Sequence, residues 1–482
     1  MARSARGRRR FVRILATLAT AGAMLPLAAA SAGAATDARA SASAGAATTT
    51  SARTSAASVA PGGPGTMSYF DLARKDCVGT ATGTASKAWY TVADGVLSDT
   101  YEPTIDNTNV SSLQYIVTDG STFTDLQTRD MTYTVSADPT GMACTVTATD
   151  AQHGYRLTTT YITDPGSDTV LMRTRLSAVP GSGTNLSALH LYARLDAHVN
   201  GNGGGGAQNA GANSGVVTTS GGSAIPVVSS TNTVTDATNR TYAVPTFMAL
   251  ADSTPAPEAS VGYAGTASDG LTQLDTSHAL TPYSSAPDGH IVATQELAPG
   301  PGGTLTLALG FGRTQAGAVS TAQGSLATPF ALKELKYLAG WAAYDASLNR
   351  PPAHYPGEPA SATARLVEHY YLSANVLKAS EDKTFPGAIV ASLASPWGQA
   401  VPAGTDSGGE PAYFGSYREV FSRDLYEAFT GLLADGDLAT ARDAVRFLFD
   451  RQQLADGAMP RNSLLNGQAA PDTGGLQLDE VA

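Results

Sequence analysis

The strongest constraint on the fold of this chain is a change of period near Pro329. From Tyr69 to about Thr328, roughly 260 residues, apolar residues alternate with Thr, Arg and Ser. Alternation sends successive side chains to opposite faces, so this text reads as half-buried strands. Strands are expected over residues 89–92, 113–117, 131–135, 144–148, 155–162, 170–176, 189–195 and 305–311. Asp94-Gly95 and Asp119-Gly120 supply turn signals. Long antiparallel strands in this number predict two packed sheets.

Beyond Pro329 the spacing becomes helical. Helices are expected over residues 331–348, 361–379, 419–433 and 438–453. Phe421, Leu425, Ala428 and Leu432 form the stripe of the third; Leu438, Ala441, Val445, Leu448 and Phe449 form that of the fourth. Pro351-Pro352 stops the first. The loops between them exceed what a tight bundle needs, which favours a helical toroid.

Charge narrows the partners. A net charge of −11 argues against nucleic acid and anionic membrane surfaces, which call for basic patches. A neutral ligand such as a sugar would not feel it. Residues 1–34 read as a signal peptide: arginines at 3, 6, 8, 9, 10 and 13, then an apolar stretch, then small residues suited to cleavage. Secretion is expected, by the general route or, given Arg8-Arg9-Arg10-Phe11, by the twin-arginine route. No later apolar run is long enough to span a membrane. Residues 35–60 are an Ala/Ser/Thr linker that cannot bury a core.

Two cysteines, Cys77 and Cys144, are too few for a zinc site. One disulfide and two buried thiols are both open readings. The glycine-rich segment at residues 201–215 precedes no helical pattern, so it is expected to be a flexible loop insertion, not a phosphate cradle.

Aromatic, arginine and carboxylate groups concentrate between Glu381 and Glu480, in EDKTFPGAIVASLASPWG, YFGSYREVFSRDLYEAF, DGAMPRNSLLNG and GGLQLDE. With GGPGTMSYFDLARKDCVGTA, SDTYEPTIDNTNV and QYIVTDGSTFTDLQTRDMTY upstream, the chain resembles the bacterial glucoamylases and glucodextranases of glycoside hydrolase family 15. The resemblance implies a multidomain β + α protein. A super-β-sandwich would occupy residues 61–328, a helical linker 329–357, and the first part of an (α/α)6 barrel 358–482. It implies a secreted, exo-acting, inverting α-glucosidase taking starch-like or dextran-like α-glucan, with structural calcium left open. No other cofactor is expected, and a monomer is the expected state, although the sequence does not fix it. Inversion needs two carboxyl groups about 6.5–9.5 Å apart.

Within the resemblance, Arg423 and Asp424 match the pair that grips the terminal glucose. A carboxylate accepts from sugar hydroxyls, and a guanidinium donates in fixed geometry. Tyr417 matches a tyrosine beside the reacting ring. Phe421 stands where many relatives carry tryptophan, and Trp397 is expected at the pocket rim or in loop packing. Asp479 and Glu480 are adjacent and cannot flank one bond. No catalytic residue is therefore assigned; the general acid and base are expected beyond Ala482, and the chain is expected to be part of a longer enzyme. The alternative is a non-catalytic glucan-binding or structural module. A phosphorylase of similar architecture is a third reading, disfavoured by the export signal.

Overall fold

The computed structural model describes residues 58–68, 75–201, 203–206, 209, 211–233, 240–393, 402–405, 411–413 and 416–470. The expected signal peptide, most of the expected linker, Trp397, Asp479 and Glu480 lie outside the described residues.

Two antiparallel sheets dominate. The eight-stranded sheet runs Cys77–Thr80, Trp89–Ala93, Val96–Tyr101, Val110–Thr118, His190–Ala197, Ile291–Leu297, Ala259–Tyr263, with Thr124–Leu126 beside Val110–Thr118. The nine-stranded sheet runs Ser285–Gly289, Asn213–Ser220, Ser223–Ser230, Thr246–Asp252, Thr304–Gly312, Thr169–Ala178, Tyr155–Thr163, Cys144–Asp150, Thr132–Ala137. Every strand expected from alternation falls on one of these. Residues from both inner faces, among them Tyr90, Leu113, Tyr115, Tyr161, Met172 and Leu307, form one buried core. Apolar burial at ~25 cal/mol per Å² makes this core the main driving force of the fold. Cys77 and Cys144 form a disulfide that joins a strand of each sheet, resolving the two open readings.

Helix Gln315–Leu326 covers the outer face of the nine-stranded sheet. Strand character is expected up to about Thr328, and residues Gln315–Leu326 are helical instead. The helix's contact is made by Ala318 and Ala322, and it comes so close that a Cβ on Gly310 would sit 2.4 Å from the Ala322 amide nitrogen. Glycine is what permits that approach. Helix Phe330–Ser347 continues the layer, with Trp341 fully buried and its indole donating to Thr80 O at 2.8 Å.

The glycine-rich segment also departs from expectation. Its described part is anchored: Ser68 N donates to Gly204 O at 3.1 Å and Gly206 N to Gly65 O at 2.8 Å. A Cβ on Gly205 would lie 2.1 Å from Thr66 O, so these glycines are there for close backbone packing.

The later helices are Ala360–Ala379, Ser422–Asp435 and Leu438–Phe447, the last running into a π-helical turn at Leu448–Gln452. They share a core with the sandwich. Trp89, Tyr101 and Ile105 from the eight-stranded side pack with Ile389, Val420, Leu425, Leu432, Phe447 and Leu465. The third helix begins at Ser422 and not at Glu419. Residues Val420–Phe421 instead pair antiparallel with Asn462–Ser463.

Candidate functional site

The three residues singled out for substrate contact lie on one turn–strand–helix segment. Tyr417 is in the 3-10 turn Ser416–Arg418, the strand Val420–Phe421 follows, and Arg423 and Asp424 open helix Ser422–Asp435. Long-range hydrogen bonds fix the backbone: Ser392 N donates to Tyr417 O at 2.9 Å and Ala391 N to Glu419 O at 3.1 Å. Helix entry has no side-chain cap at Phe421. The strand pair and Ser422 Oγ, which donates to Pro460 O at 2.6 Å, set it instead.

Tyr417 is half-buried, its ring 5.7 Å from that of Phe421 and tilted by 38°. The Arg423 guanidinium is 3.8 Å from the Asp424 carboxylate, with side chains 49% and 33% exposed. An ion pair that loose and that wet adds little to stability. Both groups remain accessible to hydroxyls of a ligand. Asp424 also sits in the first helical turn, where the backbone dipole favours a negative charge.

Between these residues sit two that the sequence reading passed over. Arg418 is 5% exposed and donates to Asp106 O at 2.6 Å and to Thr108 Oγ1. Glu419, 3% exposed, accepts from the Asn462 amide. Arg418 thus ties the candidate segment to the sandwich loop at residues 102–109. Asp382 ties the same loop from the other side: its carboxylate accepts from Ile105 N at 2.9 Å, Thr384 N at 2.7 Å and Phe385 N at 2.8 Å. Burial pushes its carboxyl up to about 6 despite those donors. In the loop, Asp106 accepts from Tyr242 OH at 2.5 Å, and burial raises the tyrosine well above its ordinary range. No local signal could have marked Arg418's tie to this loop, because Asp106 and Thr108 lie more than 300 residues away.

Calcium, left open by the resemblance, needs six to eight oxygens. Among the described residues, the set of three side chains close enough to share an ion is Asp125, Asp150 and His153. One nitrogen in three donors does not suit a calcium cage.

Residues 60–346 match the family model described as glucodextranase, domain N, and the chain belongs to that family. Over 425 residues it is 30% identical to a glucoamylase of Clostridium sp. (strain G0005), covering 88% of this chain and 54% of that protein. A crystal structure of a bacterial glucoamylase complexed with acarbose is similar at a TM-score of 0.72 and 28% identity, over 88% of this chain and 56% of that one. The resemblance drawn from the motifs therefore holds, and the sheet-rich region with its helices shares the bacterial glucoamylase fold. The chain spans about half the length of these relatives.

Proposed function

We propose that this chain forms the substrate-gripping part of a secreted, exo-acting, inverting α-glucosidase that releases glucose from the non-reducing ends of α-glucans. The observation that carries the reading is the shared fold with a bacterial glucoamylase whose crystal contains acarbose. Tyr417, Arg423 and Asp424, gathered on a segment rigidly docked to the sandwich, would hold the terminal sugar. Arg423 would donate to its hydroxyls, Asp424 would accept from them, and Tyr417 would line the ring. In this reading the general acid and base come from outside these 482 residues, and residues 358–482 contribute to an (α/α)6 barrel. Residues 61–328 are the sandwich, 329–357 the helical linker, and export removes residues 1–34. Among the described residues no helix is long and apolar enough to cross a membrane.

Calorimetric titration of the chain with acarbose tests the grip. Binding is expected to weaken at least ~10-fold in Asp424→Asn and Arg423→Met, since a lost charged hydrogen bond costs ~1.5–3 kcal/mol. Glucose release from starch and dextran by a form extended to the relatives' length tests the chemistry, and NMR should show the β-anomer first. Absence of glucose from both glucans would refute the proposal.

A further inference from the structure

A cleft of about 620 Å³ opens on the sandwich, away from the candidate sugar site. Its floor holds three groups drawn from different parts of the fold. Asp125 lies on strand Thr124–Leu126, which belongs to the eight-stranded sheet. Asp150 ends strand Cys144–Asp150 of the nine-stranded sheet, and His153 lies in the turn that follows. Asp125 Oδ2 is 2.8 Å from His153 Nδ1, and Asp150 Oδ1 is 3.5 Å from it. All three ligand atoms fall within 4.8 Å of one another.

Among the described residues, His153 is the basic group that bridges this pair of carboxylates. Asp125 and Asp150 are 5% and 4% exposed. Among the described residues no lysine or arginine pairs with either carboxylate; each is bridged only to His153. The other donors are neutral, Tyr155 OH to Asp125 at 2.8 Å and His153 N to Asp150 at 2.5 Å. Arg129, on the cleft wall, is already held by Asp130 at 2.8 Å and Asp275 at 2.9 Å. Two buried carboxylates around one imidazole attract a dication where an all-carboxylate patch on the surface would not. The His153 ring is held in place by stacking on Phe123 at 3.7 Å and 6°, and Tyr155 orients Asp125. Such outer partners are what hold metal ligands in register.

Spacing and donor type choose the ion. Zinc with bonds of about 2.0–2.1 Å places neighbouring ligands roughly 3.3 Å apart in a tetrahedron, inside the range spanned by the two imidazole–carboxylate distances. One nitrogen with two oxygens suits zinc or manganese over calcium. We propose that Asp125, Asp150 and His153 form a divalent transition-metal site, open to the cleft, that pins the edge of one sheet to a strand end of the other. His153 would bind through Nδ1. This site is independent of the glucan reading.

The test is titration of the metal-free 482-residue chain with zinc chloride, manganese chloride and calcium chloride by calorimetry, followed by zinc X-ray absorption on the loaded wild-type protein. One zinc or manganese ion per chain is expected, bound more tightly than calcium and more weakly as pH falls. Affinity should drop ~10–100-fold or more in Asp150→Asn and His153→Gln, each checked for folding by circular dichroism. The absorption spectrum should show one imidazole and carboxylate oxygens at about 2.0–2.1 Å. No binding by the wild-type chain would overturn the proposal. So would folded variants that bind like wild type, a spectrum with two or more imidazoles, or calcium binding tightest.

Discussion

Lys383 tests how tightly the sandwich and the helical region are joined. It sits between them, its ammonium donating to Thr80 Oγ1 at 2.6 Å and Ser86 O at 2.8 Å and lying 4.8 Å from the centre of the Trp89 ring. No carboxylate is hydrogen-bonded to it among the described residues, and burial pulls it down from 10.5 to about 7. That drop corresponds to about 5 kcal/mol of charge-burial cost at low pH. The sign follows from proton counting. Below about pH 7 both folded and unfolded chains hold the proton, and the full cost is present. Between about pH 7 and 10.5 the folded lysine is neutral while the unfolded chain still binds the proton, so stability rises with pH. The gain from about pH 7 to about pH 9 is roughly 2 kcal/mol. Lys383→Met keeps the stem and removes the titration. It also loses two hydrogen bonds worth about 1 kcal/mol each, an offset nearly constant with pH. Guanidinium unfolding of both proteins should therefore show a stability difference that moves by about 2 kcal/mol in favour of wild type over that range. A difference that stays flat would mean that Lys383 is not buried as a neutral amine, and the tight junction described above would be wrong.

Two further outcomes bear on the same architecture. Asp382→Ala orphans the amides of Ile105, Thr384 and Phe385, and should cost about 2–4 kcal/mol in chemical unfolding. Trp341→Ala leaves a cavity beneath the helical layer and removes the donor to Thr80 O; a loss of about 3–5 kcal/mol is expected, read as a lowered unfolding midpoint.

Much of the sandwich was legible because its strands carry period-two alternation with large apolar residues. Residues 155–162 are an example, observed as Tyr155–Thr163 with strictly alternating burial in its first half. Strand Asn213–Ser220 escaped because its text is mostly Ser, Thr, Gly and Val without a clear stripe, and Ser223–Ser230 because Pro226 interrupts a short apolar run that does not alternate. Helix Gln315–Leu326 escaped for a related reason: alanines make its contact, so the apolar signal is weak although the packing is close. At the candidate site, the motif picked out Tyr417, Arg423 and Asp424, but their setting depends on distant partners. The helix begins at Ser422 because Val420–Phe421 pairs with residues some 40 positions later, a constraint that no window around Glu419 contains. The Asp125, Asp150 and His153 cluster was equally hidden, since it forms only where two sheets meet.

The shared core of Trp89, Tyr101 and Ile105 with the later helices bears on how such proteins could be recombined. A cut near residue 328 looks clean in sequence, yet it would strip the apolar cover from one side of the sandwich and strand the loop at residues 102–109. A sandwich transplanted onto a foreign helical domain would arrive with a mismatched mating surface unless the residues around Asp382 and Arg418 travelled with it. The two parts are therefore expected to be inherited as a unit.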